Sequence, residues 1–198
     1  MRIIGGRAGG RTLRAPKGDG TRPTSDKVRE AIFNILDSNF EIPARVLDLY
    51  AGSGGLGLEA LSRGATSALF VDADEDACDV INANIDTLHC TGAMVVCSQV
   101  VRWLTKQAKE AGSDFGWVFL DPPYDSHKTG ELDKALGLVV RKDILAPDGL
   151  VIAEHEWRNA PPEQIGTIGD ATRGLALFDR RRYGQTAVSF YRRSEANG

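Results

Sequence analysis

The sequence predicts a doubly wound α/β fold with a mostly parallel sheet of seven strands that ends in an antiparallel hairpin. Two observations lead to this prediction. From residue 45 onward, short apolar segments alternate with amphipathic segments of helical period, an order typical of parallel strands joined by crossover helices. A glycine-rich turn, Gly52 to Gly57, comes directly after the first of these apolar segments, where such folds change from strand to helix.

The chain of 198 residues is long enough for one domain with its own core, and its composition is that of a folded protein. No segment approaches the ~18 consecutive apolar residues of a membrane span, and the first residues carry no apolar leader. The three cysteines show no C-x-x-C spacing: Cys78, Cys90 and Cys97. We therefore expect a cytoplasmic protein with reduced thiols and with neither disulfides nor a zinc site.

The helices and strands are predicted in order from the spacing of apolar residues. Thr24 or Ser25 is expected to cap a first helix over 26–39. The strands are predicted at 45–49, 68–71, 94–97, 117–120, 150–154, 175–183 and 186–191. The other helices are predicted to begin at Gly57 and to span 75–87, 101–111 and 130–141. Turns are expected at 147–149, before the fifth strand, and at 184–185, within the hairpin.

Charge is distributed unevenly along the chain, although the total is only −3. Residues 1–29 have a net charge of +6 and residues 173–193 a net charge of +5, which leaves −14 on the remainder. Two basic ends on an acidic body are typical of a protein that contacts phosphates, although solvated charged faces give the same count. We interpret residues 1–40 as a basic N-terminal extension with a helix that contacts RNA, and residues 41–198 as an α/β domain.

The glycine-rich turn is the first motif with a chemical role. Gly52, Gly54 and Gly57 satisfy G-x-G-x-x-G between a strand and a helix, which lets the backbone approach a nucleotide-like ligand. Asp72 ends the next strand, where its carboxylate can accept hydrogen bonds from both hydroxyls of a ribose. This combination predicts an adenosine-containing cofactor, but it does not distinguish a dinucleotide from other adenosine cofactors. Asp48, before the turn, favours an ammonium group on that ligand over a pyrophosphate.

The second motif is Asp121-Pro122-Pro123-Tyr124, which directly follows the fourth predicted strand. Ligands of open α/β sheets bind beyond the carboxyl ends of the strands, so this tetrapeptide should face the same crevice as Gly52. The Asp121 carboxylate and the Pro122 carbonyl supply two acceptors for an exocyclic amino group. Tyr124 supplies an aromatic face for stacking on a planar base.

Together the two motifs resemble those of class I S-adenosylmethionine-dependent amino-methyltransferases. Three longer phrases are similar to the RsmD family, which methylates N2 of guanine 966 in 16S ribosomal RNA: Arg2 to Gly6, Arg22-Pro23-Thr24 with Lys27 to Glu30, and Leu56 to Ala65. The resemblance covers most of the chain and is weakest over 100–115 and 155–175. It implies a Rossmann-like methyltransferase fold, S-adenosyl-L-methionine as cofactor, and 16S ribosomal RNA or a small-subunit particle as partner, with a monomer expected.

The resemblance also implies roles for individual positions. Cofactor binding is implied for Asp48, Tyr50, Ala51, Gly52, Ser53, Gly54, Gly57, Asp72, Ala73, Gln99 and Val100. The target guanine, which must leave its stack to be reached, is implied to be held by Asp121, Pro122, Pro123 and Tyr124. The basic residues expected to contact RNA are Arg7, Arg11, Arg14, Arg22, Lys27, Arg29, Arg180, Arg181 and Arg182.

Other functions stay open on the sequence alone. An adenine-N6 methyltransferase acting on DNA or RNA shares the D-P-P-Y tetrapeptide, but 198 residues hardly accommodate a separate target-recognition domain. An NAD-dependent oxidoreductase would use the glycine motif, yet it leaves D-P-P-Y unexplained. No metal site is expected at Glu154-His155-Glu156, because alternation along a strand turns His155 away from its neighbours. Trp157 has no assigned role.

Overall fold

The computed structural model describes residues 1–16, 25–106, 114–123, 129–167 and 170–194, with all of their side chains except those of 167 and 170–173. The helices in these ranges are α1 (Asp26–Asn39), α2 (Gly55–Arg63), α3 (Glu75–Leu88), α4 (Val100–Lys106) and α5 (Glu131–Arg141). The strands are β1 (Arg45–Leu49), β2 (Ser67–Asp72), β3 (Ala93–Cys97), β4 (Phe115–Leu120), β5 (Leu145–Glu156), β6 (Gln164–Thr167), β7 (Asp170–Tyr183) and β8 (Thr186–Arg193).

These strands form one sheet in the order β3-β2-β1-β4-β5-β8-β7-β6. The first five strands of that order are parallel, and β8, β7 and β6 continue it with antiparallel pairing. The predicted doubly wound, mostly parallel fold with a C-terminal hairpin is therefore confirmed. The predicted number of seven strands is wrong, because β6 adds an eighth at the edge. This strand has four residues and a single large apolar one, Ile165, so no alternating pattern marks it.

Several elements begin earlier than the sequence predicts, by one or two residues at β2, β3, α4 and β4 and by five at β7. Helix α2 begins at Gly55 rather than at Gly57. Strand β5 begins at Leu145, because the predicted turn at 147–149 is an irregularity inside a paired strand. Phe115 pairs with Leu145 while Trp117 pairs with Leu150, so the chain of β5 loops out between two ladder positions. Residues 107–111 of the predicted fourth helix lie outside the described residues.

Helices cover both faces of the sheet, and strand residues alternate between the two. Helices α1, α2 and α3 pack on one face against residues such as Phe70 and Phe119. Helices α4 and α5 pack on the other face against residues such as Leu49 and Leu120. Because helices cover both faces of the sheet, its parallel strands are apolar at consecutive positions, as is typical of parallel sheets.

The N-terminal segment belongs to the first of these layers. Ile3 and Leu13 are buried in the same cluster as Phe33 of α1 and the sheet. Helix α1 begins as predicted, with the Ser25 hydroxyl accepting a hydrogen bond from the N–H of Val28 at 3.2 Å. Residues 1–16 and α1 thus share a core with the α/β domain, and the division at residue 40 stays a prediction.

Candidate active site

The carboxyl end of β1 is where the strand order reverses, because β2 pairs with one side of β1 and β4 with the other. Ligands of doubly wound sheets bind outside this point. The backbone turns here through three residues with positive φ: Tyr50 (60°), Gly52 (56°) and Gly54 (77°). No atom lies within 4 Å of the position that a Cβ on Gly52 would take, so the turn is open on that side.

Asp72 ends β2 and holds this turn through its carboxylate. Oδ2 accepts a hydrogen bond from the N–H of Gly52 at 2.8 Å, and Oδ1 accepts one from the N–H of Asp74 at 3.0 Å. Each carboxylate oxygen has a second lone pair, so two further donors, such as ribose hydroxyls, can still be accepted. Farther along the edge, Ala73 and Gln99 are exposed, whereas Val100 is buried.

Asp48 is buried beneath the turn, with 1% of its surface exposed. Its Oδ2 accepts a hydrogen bond from the N–H of Gly57 at 2.8 Å, in the first turn of α2. The residue before α2 is Gly54, which has no side chain to cap the helix, so Asp48 supplies the acceptor from the sheet. The carboxylate therefore anchors α2, and its expected contact with the cofactor stays a prediction.

Three carboxylates meet around the turn. Burial raises the pKa of Asp48 well above its ordinary value; the hydrogen bond from Gly57 opposes this shift, and the charges of Asp121 and Asp72 add to it. The pKa of Asp48 therefore depends on the charges of both Asp72 and Asp121. The charges of Asp72 and Asp121 at this edge of the sheet favour a cationic ligand.

The segment Asp121-Pro122-Pro123 leaves β4 beside the glycine turn. Leu120 is the register partner of Leu49, and the N–H of Asp121 donates a hydrogen bond to the Leu49 carbonyl at 3.4 Å. Pro122 is buried and Pro123 is exposed. The two predicted motifs thus lie next to each other, as expected from adjacent parallel strands. Tyr124 lies outside the described residues.

Tyr50 connects this turn to the opposite layer of the sheet. Its hydroxyl is buried and lies near the Glu131 carboxylate of α5. Burial raises the pKa of Tyr50 far above its ordinary value, and the nearby Glu131 carboxylate of α5 raises it further. The phenol is therefore neutral, and its ring lies beside the glycine turn.

Known proteins are similar in sequence to this chain over its whole length. The chain is 42% identical to the YlbH protein of Bacillus subtilis over 98% of its own length and 99% of the relative's. It is 36% identical to ribosomal RNA small subunit methyltransferase D of Escherichia coli over all of its own length and 92% of the relative's. The family described as Conserved hypothetical protein 95 matches residues 1–192. The chain belongs to the RsmD family.

A solved structure confirms the RsmD-family fold. The yhhF protein from Escherichia coli superposes with a TM-score of 0.82 at 34% identity, and the match covers 100% of this chain and 99% of that one. The α/β architecture is therefore that of a methyltransferase family, and the carboxyl end of β1 is its candidate active site.

Two of the phrases shared with the RsmD family are joined in the structure. Glu59 of α2 is fully buried and accepts hydrogen bonds from the N–H groups of Ile4 and Gly5, each at 2.7 Å. The hydroxyl of Ser62 donates to the Gly5 carbonyl at 2.6 Å. A Cβ on Gly6 would stand 2.0 Å from the Ser62 carbonyl oxygen, so only glycine fits there. The N-terminal phrase is thus docked on the helix that follows the glycine turn.

Asn84 is a site residue that the sequence analysis missed. It is fully buried on α3 and donates a hydrogen bond to the Ser53 carbonyl of the glycine turn at 2.9 Å. It also accepts from the Arg14 N–H at 2.8 Å and donates to the Arg14 carbonyl at 3.1 Å. A signal for it existed: Asn84 follows Ile81 by three residues on the apolar face of α3, and a buried amide needs partners.

The predicted RNA-contacting residues divide into two groups. Those whose side chains are exposed are Arg7, Arg11, Arg14, Lys27, Arg181 and Arg182. Arg22 lies outside the described residues. The prediction for Arg29 is wrong, because its side chain is fully buried and donates to the Asp26 carboxylate at 2.9 Å. Arg180 is turned inward, where its guanidinium donates to the Ser189 hydroxyl and the Pro161 carbonyl, each at 2.8 Å.

The sequence Glu154-His155-Glu156 lies at the end of β5. His155 faces inward, with Nε2 2.7 Å from the Ser189 hydroxyl and Nδ1 2.8 Å from the Glu156 carbonyl oxygen. Within the described ranges, no group of three or more His, Cys, Asp or Glu side chains could hold a metal ion. None of the described helices is long and apolar enough to cross a membrane, and the three cysteines are free.

Proposed function

We propose that the protein transfers a methyl group from S-adenosylmethionine to the exocyclic N2 of a guanine in small-subunit ribosomal RNA. The observation that carries this proposal is the hydrogen bond from the Asp121 N–H to the Leu49 carbonyl, which brings Asp121-Pro122-Pro123 next to the end of β1, just before the glycine turn. It puts two acceptors for an amino group beside a cofactor turn. The name of the Escherichia coli relative supports a ribosomal RNA substrate, and membership in a methyltransferase family argues against the oxidoreductase alternative.

The residues present fit S-adenosylmethionine as cofactor. Asp72 keeps lone pairs for the ribose hydroxyls, Gly52 leaves the turn open, and the neighbouring carboxylates favour a cation. When bound, the cofactor supplies a methyl group on a sulfonium leaving group. The residues that would hold its methionine and adenosine parts are Asp48, Tyr50, Ala51, Gly52, Ser53, Gly54, Asp72, Ala73, Gln99 and Val100. Gly57 contributes by letting α2 pack against the sheet.

The Asp121 carboxylate and the Pro122 carbonyl act on the target base. The N2 lone pair of guanine is delocalised into the ring, which makes the free amine a poor nucleophile. Acceptors for both of its N–H groups favour the pyramidal, nucleophilic nitrogen, and Asp121 offsets the positive charge that develops on it. Catalysis then consists mainly of placing the amine in line with the methyl group. We assign to Tyr124 the stacking face for the extruded base.

The exposed basic residues provide the surface for the RNA backbone. Arg7, Arg11 and Arg14 lie in the N-terminal segment that docks on α2 and α3, on the same layer as the glycine turn. This placement supports the proposal that residues 1–40 contact RNA. We further propose that a monomer acts on the small-subunit particle, because a chain of 198 residues has little surface with which to read sequence by itself.

A methylation assay tests this function. Labelled S-adenosylmethionine is incubated with the protein and with 16S ribosomal RNA or small-subunit particles from cells that lack the enzyme. Nucleoside digests analysed by mass spectrometry should contain labelled N2-methylguanosine, at a higher rate from particles than from naked RNA. Asp121→Asn, which keeps the shape of the side chain and removes its charge, serves as the matched inactive variant. Labelled N6-methyladenosine would establish the adenine alternative, and no labelled nucleoside would overturn the proposal.

A further inference from the structure

An exposed aromatic ring with a cation beside it lies next to the β7–β8 hairpin. Trp157 begins a short 3-10 helix directly after β5, and 38% of its surface is exposed. The Arg182 guanidinium carbon lies 5.1 Å from the centroid of the Trp157 ring, within cation–π distance. Trp157 has no part in the site described above, and its exposure to solvent is unexplained by packing.

Trp157 stands on the same edge of the sheet as the active site. Ala153 of β5 pairs with Leu120 of β4, so Trp157 lies three residues beyond the level of Asp121. At about 3.3 Å per residue, this distance is roughly 10 Å along the strand direction, one strand away. The hairpin reaches the same edge, because the N–H of Trp157 donates to the Gln185 carbonyl at 2.8 Å.

The hairpin holds the two side chains in position. Arg182 Nε donates a hydrogen bond to the Gly184 carbonyl at 2.8 Å, which orients the plane of its guanidinium. A ring and a guanidinium that are already oriented lose little side-chain entropy when a ligand binds. The exposed side chain of Arg158 adds positive charge nearby, whereas Arg181 is paired with the Asp179 carboxylate at 2.9 Å. The surface therefore combines an aromatic face with the charge that attracts a polyanion.

Two other large apolar side chains are exposed among the described residues, and their surroundings differ. The ring of Phe178 lies 5.8 Å from that of Phe40 and 6.1 Å from that of Phe190, so it belongs to an aromatic cluster. Met94 lies on β3, at the far edge of the sheet. An aromatic ring paired with an arginine is instead the kind of surface on which unpaired RNA bases stack.

We propose that Trp157 and Arg182 form a stacking platform for an unpaired base of the substrate RNA, close to the nucleotide held at Asp121. The exposed guanidinium groups of Arg158 and Arg182 supply the complementary charge for the flanking phosphates. The inference rests on the proposed function only in taking RNA as the substrate. It requires neither guanine nor N2 as the site of methylation.

The test compares the binding of two fluorescent probes, a single-stranded RNA oligonucleotide and its abasic counterpart with the same backbone. The wild-type protein should prefer the oligonucleotide that carries bases. Trp157→Ala should weaken binding of that probe about fivefold or more, whereas Trp157→Phe should keep most of the affinity because an aromatic face remains. Met94→Ala is the matched control, since Met94 is an exposed large apolar side chain on β3, at the far edge of the sheet.

Methylation kinetics on small-subunit particles provide a second readout. Trp157→Ala should raise KM for the particle and leave kcat unchanged. Unchanged RNA affinity in Trp157→Ala would overturn the platform, and so would an equal loss for both probes, which would indicate a phosphate contact. A loss seen with particles but not with free RNA would overturn it in favour of a protein partner. If the protein prefers the oligonucleotide that carries bases, and this preference depends on Trp157, but no guanine is methylated, the stacking platform is supported and only the proposed function is overturned.

Discussion

Asp72 and Asp121 lie at the same edge of the sheet with different neighbours, so their replacement should have different effects. Asp72→Ala should weaken S-adenosylmethionine binding by about 1–3 kcal/mol, because the ribose hydroxyls lose their acceptor. Asp121→Ala should weaken cofactor binding far less than Asp72→Ala does and should abolish transfer, because its carboxylate serves the target base and offers the cofactor only its charge. Isothermal titration calorimetry and a single-turnover methylation assay measure the two effects separately.

Asp74→Ala is the matched control for this pair. Asp74 lies two residues after Asp72 and is exposed, but its carboxylate accepts from the Asp76 N–H at the start of α3 instead of holding the glycine turn. Its replacement should cost helix stability and little cofactor affinity. Equal losses of cofactor binding in the Asp72 and Asp121 variants would contradict the assignment of separate sites.

His155 should make the stability of the fold depend on pH. Burial lowers the pKa of His155 below its ordinary value of 6.5; the hydrogen bond to the Glu156 carbonyl opposes this shift, and the positive charge of Arg180 adds to it. The folded state therefore binds fewer protons than the unfolded state as pH falls through 6.5. The free energy of unfolding should decrease below that pH, down to the lowered pKa.

Urea unfolding at several pH values between 8 and 5, each compared with the His155→Gln variant, checks this prediction. The difference in unfolding free energy between wild type and variant should shrink as pH falls from 6.5. A constant difference would show that His155 titrates as it does in the unfolded chain.

At the level of elements, the packing of α2 against the sheet depends on Gly57. A Cβ there would stand 2.4 Å from Cε1 of Phe70 and 3.2 Å from Oδ2 of Asp48. Gly57→Ala should destabilise the fold by about 1–3 kcal/mol, because the helix must move away from β2. Gly137→Ala on α5 is the matched control: no atom lies within 4 Å of its added Cβ, so it should stabilise the helix by about 0.5–1 kcal/mol. Urea unfolding of both variants tests the prediction, and equal effects would contradict it.

Elements with a strong apolar period could be predicted from sequence, and irregular ones could not. Helix α1 has the predicted bounds, and β1 likewise. The missed elements lack a local signal: β6 is defined by its pairing with β7, and the start of β5 by a ladder that continues past Pro147. Pairing with a neighbouring strand decides such elements, so the periodicity of their own residues does not reveal them.

In the whole molecule, the features of the site that follow from strand order could be predicted, and those that depend on contacts between distant segments could not. The placement of Gly52 beside Asp121 follows from strand order alone, so the sequence predicts it. The contacts of Asn84 with Arg14 join segments 70 residues apart, and no local pattern specifies such a pair. The sequence shows that Arg29 carries a charge, but it does not show that this charge is buried.

The basic N-terminal segment gives the molecule its clearest charge asymmetry. The Arg11 guanidinium donates to the Thr87 carbonyl at 3.2 Å, and Arg14 is tied through its backbone to α3, so the segment presents its charges on the α1–α3 layer. Replacing Arg7, Arg11 and Arg14 together by alanine should weaken RNA binding and flatten its salt dependence. The slope of log K against log salt should fall by about 0.7 for each lost contact with a single-stranded phosphate.

Titrations of labelled RNA between low and moderate salt measure that slope. The matched control replaces three exposed basic residues on the opposite layer, Arg102 and Lys106 of α4 and Arg141 of α5, and removes the same charge. Because those side chains lie across the sheet from the N-terminal segment, their loss should change the total charge without removing phosphate contacts. Equal changes of slope in the two triple variants would mean that net charge alone sets RNA affinity. An unchanged slope in the N-terminal variant would mean that this segment is merely solvated and that RNA is held elsewhere.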